Sequence, residues 1–357
     1  MLPRGWHLDD VGVAGVRTAV AAVIAMVLGW LGASCSAAQV RDGSHPVYPP
    51  YAHLPAVAAP SKYAMAIDSA HSHGLRVWIE SDLVSRWRAG PEAFDTAIEQ
   101  IAALASRPGV VGIKIADELG DRDGLDSDQI LRFLRDSRAA LHANAPGKLV
   151  LIDIIGYQLG CAPGLSQVRK PSAACEASEA AAHPAVTFKT IDRIVDSGYV
   201  DVIDLATNMA DADLYHDWGI TRAMAERAAF AEAHRRGWDV KVRLQTRKAM
   251  AFPTAQVPDA KSAAALVPDF VDVPEQSGVR AVDIWTFSQL YDGVEVHLTD
   301  PGLKSNPLWA ALVERHRGGD VLFTHYSPTF RYGPSVDADM AAIAGVFTDV
   351  FCAAGTG

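Results

Sequence analysis

Val110-Val111-Gly112-Ile113-Lys114-Ile115-Ala116-Asp117-Glu118 is a β-rich run that ends on two adjacent acids. Apolar residues occupy both parities of it, the pattern of a strand covered on both faces in a parallel sheet. Acids at the C-terminal end of such a strand stand where parallel α/β folds place their sites.

Working outward, further short β-rich runs occupy 75–82, 148–155, 200–207, 240–246 and 281–287, with helical patterns at 91–106, 127–143, 187–197, 221–236 and 306–317. Pro91 suits a first helical position and Ser127 an N-cap. Strands alternating with helices imply a parallel sheet with helices outside it. No glycine-rich phosphate loop follows any strand, which removes the main support for an open nucleotide-binding sheet. Strand after strand instead ends in polar groups, as in a barrel whose C-terminal rim carries the site. The fold class is therefore α/β, a (β/α)8 TIM-type barrel that is irregular or incomplete at its N-terminal strands. Six strands are clear, and 47–54 and 320–325 are the segments available for the other two.

The formal net charge is -10, and the Lys and Arg residues are scattered, so the basic stripe of a nucleic-acid-binding face is lacking. Ala19 to Leu31 is an almost unbroken apolar run, preceded by Arg17 and followed by small residues up to Cys35. This is an export signal, too short for a comfortable membrane span. Three outcomes stay open: lipidation of Cys35 and a membrane tether, cleavage near Ala37 and release, or a retained N-terminal anchor. The first two are the favoured ones, and both place the protein outside the cytoplasm. Residues 1–35 then form the signal, 36–60 a linker and 61–352 the barrel. In an oxidising compartment Cys161 and Cys175 are expected to pair across their Pro- and Gly-bearing loop. No Cys/His spacing points to zinc, and the sequence calls for no cofactor.

Side chains alternate faces along a strand, so parity sorts the rim. Trp78, Glu80 and Asp82 share one face, as do Lys114, Ala116 and Glu118, with Asp117 opposite. Asp153, Asp204 with Asn208, Arg243 with Gln245, and Asp283, Trp285 and Gln289 end the later strands. So many charges must pair or face a wet cleft, because burying them unpaired is prohibitive.

The run 112–118 resembles the β/α-barrel glycoside hydrolases of the clan A type, which carry a general acid/base Glu after the fourth strand. Val282-Asp283-Ile284-Trp285-Thr286-Phe287, with Asn306-Pro307-Leu308-Trp309 beyond it, looks like their eighth strand and last helix. The resemblance implies a carbohydrate substrate, with Glu118 as general acid/base. Counting back from Trp285 makes the Glu118 strand the fourth. It also makes 240–246 the seventh, where the family's nucleophile Glu is replaced by Gln245. Asp204 or Glu80 is then the candidate second carboxylate, with Trp78, Asp117, Asp153, Asn208, Arg243, Gln245, Trp285 and Gln289 as substrate-binding candidates. Three alternatives stand beside this. Asp117-Glu118 could be a solvated acidic loop, with Glu80 paired to Lys114 and Asp204 to Arg243. The chain could be a non-catalytic carbohydrate-binding lipoprotein on the same scaffold. Or it could be a barrel enzyme of other chemistry, a lyase or a metal-dependent hydrolase.

Overall fold

A computed structural model describes residues 61–353 apart from 122, 167–171, 211, 254–255, 292–293 and 331. Within them nine strands form one sheet: β1 (Arg76–Glu80), β2 (Val110–Lys114), β3 (Leu149–Ile155), β4 (Val202–Ala206), β5 (Arg243–Ala249), β6 (Val282–Tyr291), β7 (Val294–His297), β8 (Leu322–Tyr326) and β9 (Asp349–Ala353). The parallel neighbours run β5-β4-β3-β2-β1-β9-β8-β6, and β5 also pairs with β6, so eight strands close a TIM-type barrel. β7 folds back antiparallel on β6 as a hairpin beyond the ring.

The missing strands lie at the far end of the sequence from where the family count requires them. The 320–325 segment forms β8. The last strand, β9, pairs with β1 and closes the ring. In chain order the Glu118 strand is thus the second of the ring and the Trp285 strand the sixth, not the fourth and eighth. Around the ring, however, β8, β9 and β1 stand between β6 and β2, so Glu118 still follows four places after Trp285. The segment 47–54 and the export signal, Cys35 included, lie outside the described residues.

The outward faces of the strands pack under the helices. Val77, Ile79, Ile113, Ile152, Ile203, Leu244, Ile284 and Val350 are at most 4% exposed, and burying each contributes roughly 1.5–3 kcal/mol. The expected helices form. Pro91 opens Pro91–Ala105, while Ser127–Asn144 is capped one residue earlier than expected, by Asp126 in a capping box with Gln129. No described helix is long and apolar enough to cross a membrane.

Inside the barrel the floor is apolar: Trp78, Leu151, Val202, Ala281, Phe323 and Phe351 form a cluster of their own. The Trp78 ring crosses toward β2, where a Cβ on Gly112 would stand 2.2 Å from it, so only glycine fits. The Trp78 indole donates to Asp349, 2.9 Å away. Trp78 is therefore part of the floor and not, as expected, of the rim. Two residues further along, on every one of these strands except the one carrying Phe351, the interior turns polar.

Candidate active site

The residues following the floor on their strands are Glu80, Lys114, Asp153, Asp204, Asp283 and His325. Asp153, Asp204 and Gln245 stand in register on β3, β4 and β5. Lys114, Asp153, Asp204 and Asp283 are fully buried, and Glu80 reaches the mouth with its side chain 14% exposed. Six carboxyls, from Glu80, Asp117, Glu118, Asp153, Asp204 and Asp283, here meet three cations, Lys114, Arg247 and His325.

Lys114 Nζ donates to Glu80 Oε1 and Asp117 Oδ1, both at 2.8 Å, and lies 3.4 Å from Asp153 Oδ2. Arg247 donates to Asp117 (3.1 Å) and Glu118 (2.6 Å) and makes a third, very close ion pair with Asp153. Each of these cations thus gathers three carboxylates. His325 sits between Glu80, at 2.9 and 3.1 Å from its two oxygens, and Asp283 at 2.7 Å.

Electrostatics follow from burial set against these partners. Burial disfavours the charged Lys114, but Asp117, Glu80 and Asp153 outweigh it and raise its pKa well above the ordinary range. Burial likewise opposes the His325 cation, and Asp283 and Glu80 overcome it, lifting the imidazole to about 10. Burial would raise Glu80, yet His325 and Lys114 hold it at about 2. Against the same burial, Lys114 and Arg247 keep Asp117 well below the carboxylate range. For Asp153 burial wins over Arg247 and Lys114 and raises the carboxyl to about 7. Asp204 is raised well above the usual range, first by burial and then by Asp283 and Asp153. The mouth thus holds fixed anions at Glu80 and Asp117, while Asp204, with its carboxyl pKa raised, is fully buried inside the barrel.

Placed against the expectations, the rim is partly rearranged. Strand β2 stops at Lys114, so alternation does not reach Asp117-Glu118. Glu118 adopts a left-handed φ of 48°, and both acids turn to Arg247 instead of facing opposite ways. Glu80 pairs with Lys114 as the structural alternative has it. Asp204 does not pair with Arg243. Arg243 begins β5 opposite Val202, at the other end of the barrel from the mouth, and is exposed. Asn208 follows β4 with φ 50°, its carbonyl so close to Gly160 that a side chain there would collide. Trp285 is partly exposed on β6, and its peptide bond to Thr286 is cis. Gln289 stands on the β6–β7 hairpin opposite Val296.

Arg247 and His325 escaped the sequence reading. Arg247 shares parity with Gln245, but the strand was expected to end at Thr246, and it runs on to Ala249. His325 alternates with Phe323 in the segment 320–325, which the sequence offers only as a possible further strand. Beside the mouth, the expected disulfide joins Cys161 and Cys175, with 5.6 Å between their Cα atoms. It ties the helix Ser172–Ala182 to the turn Tyr157–Cys161, where Tyr157 donates to Asp121 (2.5 Å) and the Gly160 carbonyl accepts from Tyr215 (2.8 Å). Among the described residues no three His, Cys, Asp or Glu side chains form a group that could hold a metal ion.

No protein-family model and no curated protein matches the sequence. Solved structures do match it. The carboxyl transferase domain of Rhizobium etli pyruvate carboxylase is 13% identical, with a TM-score of 0.41 over 82% of this chain and 42% of that one. D-psicose 3-epimerase from Clostridium cellulolyticum is 15% identical, with a TM-score of 0.43 over 78% of this chain and 84% of that one. The chain thus spans less than half of the carboxyl transferase chain it matches. Likeness at this level concerns the barrel and carries nothing about activity.

Proposed function

We propose that the protein is an exported barrel enzyme that hydrolyses a glycosidic bond at the Arg247 cluster, with Glu118 as general acid/base and Glu80 as its anionic partner. The observation that carries the reading is the gathering of carboxylates at short range around the open mouth. Lys114 Nζ stands 2.8 Å from both Glu80 and Asp117, so those two oxygens are at most twice that, about 5.6 Å, apart. Glycosidases that form a covalent intermediate space their carboxyls ~5–5.5 Å apart, and inverting enzymes ~6.5–9.5 Å. Arg247 draws Glu118 into the same group through Asp117. Glu80 is preferred to Asp204 because Asp204 is fully buried inside the barrel, where its neighbours disfavour the charged form, whereas Glu80 is held ionised and reaches the mouth. Partly exposed Trp285 offers an aromatic face for a sugar ring. Export rests on the apolar run before Cys35 and is supported by the Cys161–Cys175 bond. The choice between a lipid tether and release stays with that N-terminal segment.

Screening the protein on plant and bacterial cell-wall polysaccharides for new reducing ends tests the reading. It predicts cleavage of at least one glycan.

A second reading, a carbohydrate-binding barrel without turnover, is favoured by one observation. The carboxylates at the mouth, Asp117, Glu118 and Glu80, are all engaged by cations, and Gln245 replaces the acid that the family resemblance requires. Calorimetric binding of a glycan that is never cleaved would select it.

A further inference from the structure

Glu80 is gripped from two sides. Lys114 donates to one of its oxygens, and His325 Nδ1 lies within hydrogen-bond distance of both. The other ring nitrogen, Nε2, faces Asp283 Oδ2 at 2.7 Å. A neutral imidazole has one N–H and one acceptor lone pair. A ring with an ionised carboxylate at each nitrogen is satisfied only as the imidazolium, donating both ways. The ring stacks on Phe351, 4.7 Å between centroids at 25°, and is 5% exposed. The titratable groups acting on this pair are Glu80 from β1, Lys114 from β2, Asp117 from the loop after it, and Asp283 from β6 with Asp204 behind it.

We propose that His325, backed by Asp283, is a positioning residue that locks Glu80 as the fixed anion opposite Glu118, an inference that rests on the glycosidase reading above. As an imidazolium His325 has no lone pair to accept a proton, and both of its N–H groups are engaged, one by Glu80 and one by Asp283, so its part is to hold Glu80 in place. It prevents Glu80 from rotating. A carboxylate with both oxygens tethered presents a fixed charge where the oxocarbenium-like sugar develops its positive one. Loss of the tether lets Glu80 drift, and a misplacement of ~1 Å costs about 100-fold in rate.

Two measurements on the full chain test this. In the first, His325→Gln should lower kcat about 100-fold with KM little changed. The same substitution in a Glu80→Gln background should cost nothing further, because the residue to be positioned is gone. Asp283→Asn, which keeps the side-chain shape, should reproduce the kcat loss if His325→Gln folds poorly. Additive losses in the double variant would mark a merely structural role and overturn the proposal. In the second, nitrogen–proton NMR of the His325 ring at pH 7 should find both nitrogens protonated, and a neutral ring would overturn the proposal whatever the activity. If the ring is doubly protonated but the wild type cleaves no glycan, the glycosidase reading falls while the His325–Glu80 lock stands.

Discussion

Arg247 holds Asp117, Glu118 and Asp153 together on one guanidinium. Removing one partner of a buried ionic cluster leaves the others uncompensated, at a cost of about 3–5 kcal/mol. Arg247→Met, similar in bulk but uncharged, should therefore lower the urea-unfolding free energy by about 3 kcal/mol or more. A loss below about 1 kcal/mol would place the pairs among solvated surface contacts. The carboxylates of this cluster were legible in the sequence, because acids repeating at strand ends have no packing explanation. The cations were less so. Lys114 lies inside the β-rich run that carries the acids, whereas Arg247 falls one residue past the β-rich run 240–246, in the part of β5 that local pattern does not mark. Trp78 shows the limit of parity. It shares a face with Glu80, but face says nothing of depth, and two residues earlier on the strand is the barrel floor.

At the scale of elements, alternating strands and helices mark six barrel strands and five of the helices around them, the four longest included. Strand β9 has no clear sequence signal, since Asp349-Val350-Phe351-Cys352-Ala353 is brief and lies beyond the last helical pattern, 306–317. Its identity comes from long-range pairing with β1 and β8, which local pattern does not carry. The disulfide was readable from compartment and spacing. It fastens the helix Ser172–Ala182 to the turn behind Asn208 and Asp121, two loops that border the mouth. Replacing both Cys161 and Cys175 by Ser should destabilise the protein by roughly 2–4 kcal/mol in thermal unfolding. Any loss of turnover should appear at temperatures where the barrel is still folded, which activity and circular dichroism followed together will reveal.

For the whole molecule, the buried charges tie stability to pH on both sides of neutrality. Folding raises the His325 pKa from near 6.5 to about 10, so its contribution is complete below about 6.5 and is lost as pH rises through about 10. Asp153, raised to about 7, acts with the same sign over the window from about 4 to 7. Glu80, lowered to about 2, acts oppositely: its contribution is present above about 4.5 and lost as pH falls through about 2. Unfolding free energy should thus decline between pH 7 and 9.5, with a shallower decline in His325→Gln. Equal slopes for the two proteins would contradict the buried imidazolium. Catalysis at the barrel mouth stands on Glu118. Turnover of a cleaved polysaccharide by Glu118→Gln, measured beside the wild type with thermal unfolding of both, tests it most directly. The account predicts a loss of at least about 100-fold, the low end for a lost general acid/base, at an unchanged fold. Turnover within a few fold of wild type in a fully folded Glu118→Gln variant would contradict it.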